Sequence, residues 1–189
     1  MDDTLKIIIQ VISPFIGAAL GVYLVPYIEK RKSTQVIDEL LKCYKEELND
    51  ISVQSSKAAK DLYRSHLALE KYNRGEIDAV EFSGFTKIDT HFLDATLEKA
   101  YTRLSFDERK ALKALKILIN EYNTSSSIIL ARILEHRCDL SFKKALFYSA
   151  DIYWICSRLS TASVFKYATD HSNDNEREKA FDALGISSI

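Results

Sequence analysis

The chain has 189 residues, a net charge of −1, an apolar share of 47% and a charged share of 28%. Those values exclude an intrinsically disordered chain, and no one-signed field exists to recruit or repel nucleic acid. Cys43, Cys138 and Cys156 are odd in number and far apart; they read as reduced, buried thiols of a cytosolic compartment, not as a secreted disulfide framework.

A six-residue tail, 1–6, carries Asp2, Asp3 and Lys6, and residues 7–28 that follow carry no charge. A helix over 7–28 reaches about 33 Å, enough to cross a hydrocarbon core of roughly 30 Å. Tyr23 and Tyr27 lie near its end, where amphipathic rings favour the headgroup boundary, and Lys30, Arg31 and Lys32 follow. Clustered Lys and Arg stay on the cytoplasmic side, which predicts tail 1–6 outside, a transmembrane helix over 7–28 and a cytoplasmic domain over 29–189. The same three cations are the candidate contacts to membrane lipid. A cleaved signal peptide wants a basic start and a shorter apolar run; a soluble core helix wants a polar stripe.

Within the span, Gln10, Ser13, Gly17 and Gly21 fall on one helix face. Small residues let two backbones approach, and an amide can hydrogen-bond across the contact, so these four form the candidate helix-association face of a homo-oligomer. Pro14 and Pro26, the chain's two prolines, each remove one helical hydrogen bond, and Pro26 predicts a kink near the cytoplasmic boundary.

Beyond Tyr27 no proline occurs, and the glycines are Gly75, Gly84 and Gly185; such a chain reads as all-α. Ile37, Leu41, Tyr44, Leu48, Ile51, Ser55, Ala58 and Leu62 keep heptad spacing. This seam suits a coiled coil or an antiparallel partner within the chain, and its thinness at Ser55 and Ala58 favours the latter. Helix is predicted to about Tyr72, with Asn73-Arg74-Gly75 as its stop. Residues 76–88 read as a loop with one helical turn. Helix returns near Thr90 with Phe92, Leu93, Leu97, Ala100, Tyr101 and Leu104 as its apolar set. Ser105 and Glu108 match a capping box. They open a long helix whose core side carries Leu112, Leu115, Leu118, Ile119, Tyr122, Ile129, Ile133 and Leu134. Residues 123–127, rich in hydroxyls, compete for backbone bonds and predict a bend.

A turn at Asp139 to Ser141, with Ser141 as N-cap, leads into a helix from Phe142 to Thr169 that ends at Asn173 to Asn175. A last helix runs from Glu176 to Leu184 and stops at Gly185. Within the long one, residues 145–165 are apolar enough to suggest a second span, but Asp151 and Arg158 would cost roughly 5–7 kcal/mol at mid-membrane. A buried helix with Trp154 at its rim fits better. The predicted fold is therefore a transmembrane helix followed by an antiparallel helical bundle with one long membrane-proximal helix.

His66, His91, His136 and His171 sit in separate segments, outside HExxH or di-iron spacing, and His136 with Cys138 lacks a second cysteine pair. No phosphate-binding glycine loop or GxSxG elbow is present. The basic stretch from Arg103 to Lys116 is broken by Asp107 and Glu108 and reads as a solvated face. The expectation is no enzyme, metal or cofactor, and no nucleic-acid partner. What remains is a membrane-tethered, self-associating adaptor or scaffold with a cytosolic protein partner. In plan the chain resembles many small bacterial membrane proteins, some of them effectors of antiviral defence operons. That likeness implies the alternative, an oligomerising effector whose cytoplasmic domain gates membrane disruption.

Overall fold

The structure, a computed structural model, describes residues 3–135, 141–161 and 174–187. Every regular element among them is helical: α1 (Asp3–Asn73), α2 (Leu93–Lys99), a 3-10 turn (Tyr101–Arg103), α3 (Phe106–Leu134), α4 (Lys143–Thr161) and α5 (Asp174–Leu184). The chain divides into two compact units, residues 1–41 and 42–189.

The first unit is helix alone. α1 continues through Pro14 and Pro26, and residues 12–33 are all exposed, Tyr23 at 79% and Phe15 at 74%. This is a helix near the N-terminus long and apolar enough to cross a membrane, with none of its apolar window buried in the protein.

The second unit owns a core. Tyr44, Leu48, Ile51, Ser55, Ala58 and Leu62 are buried within the chain itself, so this part of the heptad seam is filled without a second copy. α3 packs along α4, α4 against α5, and α2 against α3. Leu112, Leu115, Ile119, Tyr122 and Ile129 present the buried face of α3, and Leu146, Ile152, Ile155 and Cys156 that of α4.

The helix ends follow their local chemistry. Ser105 accepts from the Glu108 amide at 3.2 Å while the Glu108 carboxylate takes the Ser105 N–H at 2.7 Å, completing the capping box. Gly75, at φ +71°, closes α1: its N–H reaches the Tyr72 carbonyl and that of Glu76 the Lys71 carbonyl. Gly185 does the same for α5, and the accompanying apolar contact pairs buried Phe181 with buried Ile186.

Several expectations are corrected. Residues 77–90 contain no helical turn, and α2 begins at Leu93, not Thr90. Phe92 lies ahead of α2 and Tyr101 in the 3-10 turn that follows it, and both are exposed. Leu134, the last residue of α3, is 72% exposed. α3 continues as one helix through 123–127, where Ser127 Oγ bonds back to the Asn123 carbonyl at 2.8 Å, the competition for backbone bonds expected of this patch. The first bond of α4 runs from Leu146 to the Phe142 carbonyl, which puts Phe142 in the cap position, not Ser141. The turn at Asp139, the helix from Ala162 to Thr169 and the stop at Asn173 lie outside the described residues.

Candidate functional site

Three constellations are built by this fold, and the first is the exposed N-terminal helix. Ser13, Gly17 and Gly21 lie on it in three successive turns. A Cβ placed on Gly17 or Gly21 would meet nothing within 4 Å, so the face is open. Gln10 lies in the same helix, its side chain outside the described residues. Lys30, Arg31 and Lys32 continue the helix as an exposed cationic turn.

A second constellation escapes sequence reasoning. The extended segment before α2 is fastened to α1 and α3 by side chains that read its backbone. Ser65 Oγ accepts from the Ser83 N–H at 3.0 Å and donates to the Ser83 carbonyl at 3.2 Å. Asn123 does the same at Ile88, at 2.9 and 2.8 Å. Tyr122 donates to the carbonyls of Gly84 and Thr86. The buried Glu47 carboxylate takes the amides of His91 and Phe92, the latter at 3.0 Å, and so ties the residues just ahead of α2 to α1. Gly84, at φ +96°, passes so close to α1 that an added Cβ would sit 2.9 Å from the Leu62 amide nitrogen. Phe82 and Phe85 then rest on buried Phe142. A strap without helix or strand partners must satisfy its backbone through side chains, and these supply the partners. The visible signals were Gly84 standing alone in its segment and Ser65 on an apolar stripe.

The third constellation joins α4 to α5. Asp151, one of the two charges that argued against a second span, pairs with Arg177 at 2.8 Å; Arg158, the other, reaches Glu176 at 3.3 Å. The Trp154 N–H donates to the same Glu176 carboxylate. Arg177 lies 4.8 Å over the Phe147 ring, and Phe147 packs on Phe181 at 5.9 Å. Two charges of opposite sign on α4 thus meet their complements on adjacent residues of α5.

Burial pushes the Tyr44 phenol well above its ordinary range, and nearby Glu108 and Cys156 add to it. Burial likewise raises the Cys156 thiol far above its usual value, with Glu47 adding to the effect. Both groups stay protonated at neutral pH, and a thiol of that kind is a packing residue, not a nucleophile. Among the described residues no three His, Cys, Asp or Glu side chains converge as a metal site; His136, Cys138 and His171 lie outside them. His66 faces Glu70 on its own helix at 3.4 Å. No protein-family model, curated protein or solved structure matches the chain.

Proposed function

We propose that the chain is a membrane-tethered, self-associating helical interaction module. Residues 7–28 cross the bilayer with the N-terminus outside, and residues 29–189 form a cytoplasmic helical bundle that binds a protein partner and carries no catalytic site. The observation that supports this most is the contrast in burial. Ile12, Phe15, Ile16, Leu20, Val22, Leu24, Val25 and Ile28 are all exposed along a continuous helix, whereas the unit after Leu41 closes its own core. A helix apolar all round has no stable place in water, and a soluble core helix would be covered by its own protein. Lipid is the solvent that fits. The cations at Lys30, Arg31 and Lys32 then give the orientation.

Self-association is assigned to Gln10, Ser13, Gly17 and Gly21, because an open small-residue face gains packing only from a second helix. Replacing Gly17 and Gly21 together by Ile keeps the segment apolar while separating the backbones. Crosslinking of full-length protein in membranes should then fall markedly, whereas Ala18→Ile on another face leaves it unchanged. Equal crosslinking in all three would move association to the helical domain. Should wild-type expression slow growth and the double variant relieve it, the gated membrane effector would replace the adaptor as the better reading.

A further inference from the structure

We infer that the second unit binds a soluble phosphorylated small molecule in the groove between the middle of α1 and Tyr153 of α4. This groove, open to solvent along one side, offers about 460 Å³, a volume that a small ligand can fill. Its α1 wall is a stripe at steps of four, three and four: Val53, Lys57, Lys60 and Arg64. Arg64 is turned to Asp61, and the two remaining cations, Lys57 and Lys60, stand about 4.5 Å apart along the helix axis, a spacing that one phosphate group bridges. Ser56 and Tyr153, both half-buried, bring hydroxyls to the same cleft.

The charge balance distinguishes this groove. Asp61, the one acid lining it, pairs with Arg64 at 3.2 Å. Lys57 and Lys60 have no ion-pair partner among the described residues, because Asp61, one turn beyond Lys57, is turned to Arg64 instead. A second groove of about 450 Å³, lined by Lys87, Asn123 and Ile128 among others, holds a single cation, and Lys87 is spent on Asp89 at 2.7 Å. Of these two clefts, the first concentrates unspent positive charge beside hydroxyl donors, the combination that recognises phosphate oxygens. The inference is independent of the membrane reading, since every residue it uses belongs to the unit after Leu41.

The test is calorimetric titration of inorganic pyrophosphate into the full chain held in nanodiscs of zwitterionic lipid. Saturable binding is expected, weakening as salt rises. Lys57→Ala with Lys60→Ala should reduce affinity by about tenfold or more, with circular dichroism unchanged. Lys110→Ala with Lys113→Ala, a lysine pair on α3 outside the groove, should leave it intact. Absence of saturable heat, or equal losses in both double variants, would overturn the site. Binding in zwitterionic discs that vanishes in discs of anionic lipid would assign the groove to a lipid headgroup and overturn the soluble source.

Discussion

Glu176 receives the Trp154 N–H, the Lys179 ammonium and the Arg158 guanidinium on one carboxylate. Partial burial pushes this carboxyl upward, but those three donors outweigh it and hold it below its ordinary 4.5. A carboxyl lowered by folding contributes stability that is complete above its unfolded value and is lost as pH falls through the folded one. The docking of α5 should therefore loosen in acid, below about pH 4.5, and Trp154, the chain's one tryptophan, reports it. Its emission should shift to the red across that window in detergent-solubilised protein. Glu176→Gln should already be shifted at neutral pH and should lack the acid step. If this variant titrates like the wild type, Glu176 does not govern the docking of α5. At this scale the sequence was half informative. Asp151 and Arg158 marked α4 as a helix whose charges need partners, yet those partners lie on another element and had no local signature.

Each helix end rests on one or two residues, and their removal is separable in size. Ser105→Ala should cost about 0.5–2 kcal/mol, as caps do. Leu115→Asp should prevent folding, because Leu115 is fully buried and a lone charge there has no partner. Gly75→Ala meets open space and should cost about 1–2 kcal/mol for its left-handed backbone alone. Gly84→Ala combines positive φ with a clash against α1 backbone at 2.9 Å, so it should cost more. Thermal melts of the four variants by circular dichroism would rank them; equal costs at Gly75 and Gly84 would contradict the close strap. The helix caps were legible because capping is local: Ser105 and Glu108 are three residues apart, and Gly185 directly follows the helix it ends. The strap was not. Glu47 reaches His91 and Asn123 reaches Ile88 across many intervening residues, and no spacing rule encodes such pairs. Asn123 was read only as part of a patch that competes for backbone bonds, whereas its amide also fastens the strap to α3.

For the molecule as a whole, the all-helical class followed from proline placement and apolar period. The candidate span followed from the absence of charge between Lys6 and Glu29. Part of the seam from Ile37 to Leu62 was ambiguous between an external and an internal partner, since heptad spacing does not say which chain supplies the opposing surface. Burial of Tyr44, Leu48 and Ile51 within the chain decides for the internal one. Function stayed the least legible, because the sequence carries no motif of the kind that a phosphate-binding loop or a zinc site leaves. The account therefore stands on the apolar helix being a membrane anchor with its domain inside. The direct measurement is membrane topology: a reporter active only in the cytoplasm, fused after Ile189, together with alkaline carbonate extraction of the membranes. The account predicts an active reporter on an uncleaved chain that stays with the membrane pellet. An inactive reporter, a chain shortened at its N-terminus, or release into the carbonate supernatant would contradict it.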